Sequence, residues 1–404
     1  MNPQEILSGA DSRIDRIRKT EATVKVVDRR GVPLAGVFVE VEQTSHAFLF
    51  GSTVEPVYGN LDANHQQRVR DFTDLFNYAT LTFYWGVYEP EQGQTQPRRE
   101  QLERVALWCN EQRIATKGHP LVWQVLYPQW APNDPDAVKP LLCARVREIV
   151  SGFKGLIDRW DVVNEATDPV ILDNGIGNWV KRDGPVAMVM ECIEWAREAN
   201  PKATLLYNDW NVSPAFEQLM EDLMRRGAPF DVIGIQAHMH RGEWTLERVW
   251  QVCETYGRFG KPLHFTETTV ISGQHGWELP RPWQSTPDGE WHQAKYVESL
   301  YTTLFSHPSV EAITWWEMLD GGWMGAPAGL VREDVSVKPA YQRLKRLIKG
   351  KWWTRVTLRT NIRGEASLRG FLGDYRVTAA GTTGKRTHKF TLSRGRNAWL
   401  IRLG

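Results

Sequence analysis

Two glutamates end short apolar segments, in positions where folding alone does not call for a carboxylate. Glu165 ends the segment RWDVVNE, and Glu267 ends the segment PLHFTE. Either residue alone would be taken for a solvated surface group, because glutamate is rarely buried without a partner. Two carboxyl groups that face each other are what glycosidic-bond hydrolysis requires: a protonated acid for the leaving oxygen, and an ionised group as nucleophile or base. The pair therefore predicts glycoside hydrolysis if the fold brings the two segment ends together.

Similar apolar segments elsewhere in the chain also end in polar or aromatic side chains. These are His119, Asn164, Asn208, Asp209, Gln236, His238, Trp315 and Trp316. The chain also has 19 tryptophans, whose flat rings can stack on sugars, although we expect most of them to fill the core. If these polar and aromatic side chains lie together with the two glutamates, they indicate an active site and not a chance set of surface residues.

The elements that must position these residues follow a strand–helix rhythm. Eight β-rich segments cover residues 48–52, 79–85, 114–119, 158–164, 203–209, 232–238, 262–267 and 311–316, and amphipathic stretches such as HQQRVRDFTDLFN lie between them. This alternation predicts a parallel (β/α)8 barrel over residues 46–349, with the chemistry at the carboxyl ends of the strands. A doubly wound open sheet is the competing fold, but no glycine-rich phosphate-binding fingerprint follows the first segment.

The two ends of the chain have an all-β pattern. Residues 23–43 alternate apolar and polar on both sides of an Arg-Gly-Val-Pro turn, which predicts a hairpin within residues 1–45. After residue 350, short alternating runs are separated by glycine-centred turns. We expect segments 1–45 and 350–404 to form one discontinuous β appendage. Trp352, Trp353 and Trp399 could give it a sugar-binding role, but a structural brace is favoured.

Composition narrows the range of partners. The formal net charge of +1 gives no electrostatic case for binding nucleic acid or an anionic membrane, and the apolar runs are strand-sized. The four cysteines have no metal-ligand spacing, so we expect buried thiols and no metal or cofactor. The polar N-terminus lacks the apolar core of a secretion signal, which is typical of a cytoplasmic protein or of a mature secreted form.

Seven motifs in order resemble glycoside hydrolase family 10, the β-1,4-xylanase family, over roughly residues 46–345. They are GHPLVW, WDVVNEATDP, YNDWN, GIQAHMH, HFTET, WWEMLDGGW and KPAYQ. The resemblance implies a (β/α)8 barrel of retaining enzymes, with Glu165 as general acid/base and Glu267 as nucleophile. It also implies a carbohydrate substrate of the xylan type.

The resemblance also implies a set of substrate-binding residues. Asn164 would bond the sugar 2-hydroxyl, while His119 and Trp123 would line the subsite of the reacting sugar. Gln236 and His238 would orient Glu267, and Trp315 and Trp323 would wall the cleft. Asn208 and Trp85 complete the candidates. We expect partial burial beside ionised Glu267 to raise the pKa of Glu165.

Three departures from the family pattern bear on substrate rather than on mechanism. The segment ATLTFYWGVYEP lacks the Glu-Asn pair and the Lys that usually hold the non-reducing-side sugars. Gln124-Val125-Leu126 replaces His-Ser-Gln, and Thr269 replaces an aspartate that pairs with the cleft histidine. Loss of charged hydrogen-bonding groups shifts specificity more than it shifts chemistry. Phe83, Tyr84 and Trp85 could block the cleft and favour exo-action or a small glycoside.

Two further classes of protein are alternatives to a glycosidase. The His238-x-His240 pair with His119 suggests a metal-dependent barrel hydrolase, but the ligand set is poor in aspartate. A sugar-binding protein without catalysis would have no need to keep both Glu165 and Glu267. The retaining glycosidase is therefore the prediction.

Overall fold

A computed structural model describes residues 1–54, 63–240, 242–273, 283–382 and 384–404. Strands are numbered in chain order over these ranges. Eight of them close a parallel barrel, in the order β10-β3-β4-β5-β6-β7-β8-β9. They are β3 (Leu49–Thr53), β4 (Tyr78–Thr82), β5 (Ala115–His119), β6 (Arg159–Asn164), β7 (Thr204–Asp209), β8 (Val232–His238), β9 (Leu263–Thr269) and β10 (Val310–Trp315). The predicted eight-stranded barrel is confirmed.

Amphipathic helices cover the outside of the barrel. In Pro214–Arg225, the buried residues Phe216, Leu219, Met220 and Leu223 recur at helical spacing, and the Ser213 side chain caps the first turn. The other helices are Pro3–Ser8, Ala10–Arg18, His65–Leu75, Trp85–Tyr88, Gln96–Glu111, Pro135–Gly152, Gly175–Asp183, Pro185–Ala199, Leu246–Gly257, Pro287–Phe305 and Pro339–Arg346, the last followed by a π-helical turn at Leu347–Lys351. Among the described helices, none combines the length and apolarity needed to cross a membrane.

The two chain ends fold together as the predicted all-β appendage. It has a three-stranded sheet, β12-β1-β15, and a four-stranded sheet, β11-β2-β13-β14. The strands are β1 (Lys19–Val27), β2 (Phe38–His46), β11 (Arg355–Arg359), β12 (Glu365–Phe371), β13 (Gly373–Gly381), β14 (Gly384–Leu392) and β15 (Asn397–Arg402). A core of its own, which includes Val24, Val39, Tyr375 and Ile401, lies between the sheets.

One detail of the appendage differs from the prediction. β1 and β2 flank the Arg-Gly-Val-Pro turn, but they belong to different sheets and do not form a hairpin. Each pairs with C-terminal strands instead: β1 with β12 and β15, and β2 with β11 and β13. Alternation identifies a strand and its buried face, but it does not identify the neighbouring strand.

Two of the three tryptophans named for the appendage serve packing, while Trp353 is half-buried with its ring 5.2 Å from that of His46. Trp352 is 1% exposed and stacks on Phe305, with 4.4 Å between ring centroids. Trp399 is 5% exposed and stacks on Phe390 at 5.1 Å. Neither the Trp352 ring nor the Trp399 ring presents a free face to a sugar; the structural brace stays a prediction.

Candidate active site

The predicted site residues meet at the carboxyl ends of the barrel strands. Asn164 ends β6, His238 ends β8, Glu267 lies near the end of β9, and Glu165 directly follows β6. They border a cavity of about 980 Å³. The lining also includes His119, Trp123, Gln236 and Trp323, all predicted from the sequence, together with Tyr84, Trp210, Trp244 and Trp316.

Glu165 is held by three donors. Its Oε2 accepts from the Trp123 indole at 2.8 Å, and its Oε1 accepts from Gln236 Nε2 at 2.8 Å and Asn164 Nδ2 at 3.0 Å. The backbone φ of Glu165 is 60°, a conformation that costs a side-chain-bearing residue free energy. A hydrogen bond from its amide to the Asn208 carbonyl, at 2.9 Å, stabilises that conformation.

Burial gives Glu165 an unusual proton affinity. Loss of solvation raises its pKa to about 8, the hydrogen bond from Gln236 opposes the rise, and the charge of Glu267 adds to it. Glu165 is therefore protonated at neutral pH. This agrees with the predicted direction, although burial contributes more than the neighbouring carboxylate.

Glu267 has the opposite character. It is 4% exposed, and its oxygens accept from Asn208 Nδ2 at 2.9 Å and His238 Nε2 at 3.1 Å. Burial alone would raise its pKa, but electrostatic attraction to His119 and the hydrogen bond from His238 outweigh burial and lower the pKa. Glu267 is therefore ionised at neutral pH, beside a carboxylic acid that is not.

Three amide side chains connect the two carboxyl groups. Asn208 Nδ2 donates to Glu267 and also to Asn164 Oδ1, at 2.8 Å, while Gln236 donates to Asn164 Oδ1 at 3.1 Å and to Glu165. Asn208 is 0% exposed, so it lies beneath the cavity wall and does not face a substrate. Gln236 contacts Glu165, whereas the sequence predicted that it would orient Glu267.

A buried charged pair, which the sequence prediction missed, lies below the nucleophile candidate. Lys117 Nζ lies 2.5 Å from Asp161 Oδ2, and both side chains are 0% exposed. The same oxygen accepts from His119 Nδ1 at 2.8 Å, and His119 Nε2 lies 3.7 Å from Glu267 Oε1. A lysine and an aspartate within two apolar strands were the available signal, because buried charges require partners.

Thr269 occupies the position of the aspartate that the family pattern would supply. Its hydroxyl lies 3.1 Å from His238 Nδ1, while His238 Nε2 bonds Glu267. With one ring nitrogen bonded to the carboxylate and the other to the threonine hydroxyl, the orientation of the His238 ring is fixed from both sides. The His238 ring also stacks on Trp323, with centroids 4.8 Å apart.

Two predicted substrate-binding tryptophans do not reach the cavity. Trp85 is 4% exposed, donates to Glu89 Oε2 at 3.0 Å and packs against Trp130. Trp315 is 0% exposed and donates to the Ala328 carbonyl at 3.0 Å. Its neighbour Trp316, the first residue after β10, faces the cavity instead, with its ring 5.1 Å from the His119 ring.

Tyr84 comes from the segment in which the family motif is altered. Its ring lies 5.8 Å from His119 and 5.6 Å from Trp123, at the cavity wall, whereas Phe83 is fully buried in the core. Of the three bulky residues in that segment, only the middle one borders the site.

The histidines do not assemble a metal centre within the described ranges. No group of three or more histidine, cysteine, aspartate or glutamate side chains is placed to hold an ion in that part of the chain. His238, the central member of the predicted set, already bonds Thr269 and Glu267.

Comparison with known proteins supports the same family. A relative named anti-sigma-I factor RsgI6, from Acetivibrio thermocellus, is 28% identical to this chain. The matched region spans 96% of this chain but 48% of the relative. Endo-1,4-beta-xylanase 1 of Arabidopsis thaliana is 24% identical, and its matched region spans 93% of this chain and 38% of the relative. The chain thus spans half or less of these two relatives.

The fold likewise matches a solved structure. One such structure is the crystal structure of xylanase 10B from Thermotoga petrophila RKU-1 in complex with xylobiose. It is 24% identical in sequence and superposes with a TM-score of 0.63, over 76% of this chain and 95% of the xylanase chain. The sequence model of glycosyl hydrolase family 10 matches residues 42–347, most of the chain. The resemblance read from the seven motifs is confirmed, and the chain belongs to glycosyl hydrolase family 10.

Proposed function

We propose that the chain hydrolyses β-linked glycosides of the xylan type by double displacement. The observation that carries the proposal is the opposite pKa shift of two linked glutamates, raised to about 8 for Glu165 and lowered for Glu267. A neutral acid beside an ionised carboxylate is the pairing that glycosidic cleavage uses. Two relatives' names, both containing endo-1,4-beta-xylanase, support xylan as the polymer.

The proposed reaction assigns one step to each carboxyl group. Glu267 attacks the anomeric carbon while Glu165 gives its proton to the leaving oxygen, and a glycosyl ester forms on Glu267. Glu165, now ionised, then takes a proton from water, which attacks the anomeric carbon; the bond from that carbon to Glu267 breaks, and the sugar leaves with its original anomeric configuration. Asn164, 3% exposed between the two groups, is the proposed partner of the sugar 2-hydroxyl.

A second candidate within the class is exo-action or hydrolysis of a small glycoside. Tyr84 favours it, because its ring stands beside His119 and Trp123, where the reacting sugar would be held. A bulky ring there leaves less room for further sugars on the non-reducing side.

A third candidate is sugar binding without catalysis, within a longer protein. The relative with the anti-sigma-I factor name covers 96% of this chain, so a family 10 domain can form part of such a protein. Binding alone would not require a raised pKa on one glutamate and a lowered pKa on the other, so we favour turnover.

The test is a panel of xylo-oligosaccharides of defined length and aryl β-xylosides, with proton NMR of the first product anomer. We expect the β-anomer from internal cleavage of the oligosaccharides, whereas release of single sugars from one end would indicate exo-action.

Glu267→Ala should lower turnover about a thousandfold or more. Glu243→Ala is the matched control, because Glu243 lines the same cavity but pairs with His292 at 2.9 Å. Binding without turnover by the unaltered chain would contradict the proposal.

A further inference from the structure

A second cavity lies at the opposite end of the barrel, where the appendage covers the amino ends of the strands. We call it the base cavity; its volume is about 290 Å³. Leu49, Arg159, Thr204 and Val232, the first residues of four barrel strands, line it from the barrel side. Residues including Phe371 and Arg394 line it from the appendage side. It is separate from the cavity that holds Glu165.

The charges around the base cavity are unbalanced. Arg18, Arg159 and Arg394 line it, and Glu311 is the one carboxylate among the lining residues in the described part of the chain. Burial lowers the pKa of Arg18 to about 9; attraction to Glu311 opposes that effect and repulsion from Arg394 adds to it. Arg18 still carries its charge at neutral pH. Three guanidinium groups against one carboxylate leave an excess of positive charge.

The two histidines of the base cavity, His46 and His264, add no further positive charge; burial lowers the pKa of His46 to about 4. Burial, together with the charges of Lys117 and Arg159, lowers the pKa of His264 to about 3, so its imidazole is neutral. His264 is 3% exposed, and its Nδ1 is buried with no hydrogen-bond partner among the described residues. An unmet buried polar atom costs free energy, unless a ligand or water fills the gap.

Hydrogen-bonding capacity also remains on the arginines. Arg18 is 8% exposed and uses Nε and Nη2 to bond the carbonyls of Phe305, His307 and Val310, at 2.8, 2.8 and 2.6 Å. Its Nη1 takes part in none of these bonds. Arg159, half-buried at the start of β6, pairs with β7 through its backbone, but its side chain forms no hydrogen bond or ion pair within the ranges that the structure describes. Guanidinium N–H groups are well suited to oxygen anions, which they bind through paired hydrogen bonds.

We propose that the base cavity binds a tetrahedral oxyanion of the phosphate or sulfate type. The anion would accept hydrogen bonds from Arg159 on the barrel and Arg394 on the appendage, with Arg18 Nη1 at its buried side. It would offset the excess positive charge and connect the appendage to the barrel. This inference concerns a site away from both glutamates and does not depend on the proposed glycosidase activity.

Calorimetric titration of the full chain with inorganic phosphate, sulfate and glycerol phosphate tests the proposal, with chloride at the same ionic strength as reference. We expect one saturable site for phosphate or sulfate, and a saturable rise of about 1–2 °C in the melting temperature. Tight binding of the ester with weak binding of the free anions would identify a phosphate monoester as the ligand. No saturable binding of any of the three would overturn the proposal.

Variants locate the site. Arg159→Gln and Arg394→Gln should each weaken oxyanion binding about tenfold or more, whereas Arg355→Gln, a control at a side chain 78% exposed on β11, should leave it unchanged. Arg159→Gln should also raise the melting temperature in chloride alone, because it relieves like-charge repulsion. Its glycosidase rate should stay within about twofold of the unaltered chain. Unchanged oxyanion binding in both cavity variants would place the anion elsewhere and contradict the proposal.

Discussion

At the scale of single residues, surroundings give two identical side chains opposite proton affinities. Glu165 and Glu267 share the same amide network, yet the pKa of the first is raised to about 8 and that of the second is lowered. Burial acts on both, so the difference comes from the partners: amide and indole donors for Glu165, two histidines and the charge of Lys117 for Glu267.

The pH dependence of kcat/KM follows from these two pKa values. The reaction needs Glu165 protonated and Glu267 ionised, so activity should fall as the pH rises through about 8. On the acid side, activity should fall only at a pH below the usual pKa range of glutamate, because the pKa of Glu267 is lowered. With an aryl substrate whose leaving group needs no protonation, Glu165→Ala should lose the alkaline limb. A limb near pH 8 that persists in this variant would assign it to another group.

Thr269 allows a test of how the nucleophile candidate is oriented. Thr269→Val keeps the shape of the side chain but removes the hydroxyl that lies 3.1 Å from His238 Nδ1. We expect kcat to fall about 5- to 30-fold, the equivalent of about 1–2 kcal/mol. Thr269→Ser retains the hydroxyl and should stay close to the unaltered rate in the same assay. Equal rates for the valine and serine variants would show that this hydroxyl is not used.

At the residue scale, the sequence predicted where a side chain lies when a strand end fixed its position. Glu165, Glu267, His119 and His238 were found because polar side chains at strand ends converge in a barrel. Trp315 entered the prediction through the family resemblance, and nothing in the sequence could correct it, because two adjacent tryptophans differ only in the direction in which each points. Asn208 was assigned to substrate for a similar reason: its depth below the surface depends on packing.

At the scale of elements, β5 and β6 meet closely because of one glycine and one buried ion pair. A Cβ on Gly118 would lie 2.1 Å from the Trp160 ring, so only glycine permits this approach. Beside it, Lys117 and Asp161 pair across the two strands with both side chains 0% exposed. The strands themselves were predictable from their apolar runs, but the pairing of β1 and β2 with C-terminal strands was not, since partners distant in sequence leave no local pattern.

Removing one partner of this ion pair should be costly. Lys117→Met leaves the Asp161 carboxylate buried without its cation, and we expect the free energy of unfolding to fall by about 3–5 kcal/mol. Arg147→Met is the matched control, because Arg147 pairs with Glu198 at the surface, with side chains 52% and 62% exposed; its effect should stay below about 1 kcal/mol. Urea denaturation measures both. Equal losses in the two variants would mean that the buried pair contributes no more than a surface pair.

At the scale of the whole molecule, we propose that the chain comprises a barrel of residues 46–349 and a discontinuous appendage of residues 1–45 and 350–404. The appendage strands pair across the chain ends, with β1 between β12 and β15. Arg18, which ends the helix before β1, bonds three carbonyls near the start of β10. These contacts tie both chain ends to the amino end of the barrel, away from the glutamates.

Deletion of residues 353–404 tests this organisation. β1 and β2 would lose every strand with which they pair in the described structure, and their unpaired edges and apolar faces should promote aggregation. Deleting residues 1–45 as well should restore solubility, because it removes those edges. Light scattering and the yield of soluble protein measure the outcome. A soluble single deletion with the melting temperature of the full chain would contradict the proposed pairing role.

Covalent trapping of the glycosyl intermediate tests directly whether Glu267 is the nucleophile. A 2-deoxy-2-fluoro-β-xyloside with a good leaving group should react with Glu267 and stall, because the fluorine slows hydrolysis of the resulting ester. Mass spectrometry of the digested chain should then show one added sugar on the peptide that contains Glu267, and no label in Glu267→Gln. A label on another residue, or steady turnover with inversion at the anomeric carbon and no label, would contradict the assignment of Glu267 as nucleophile.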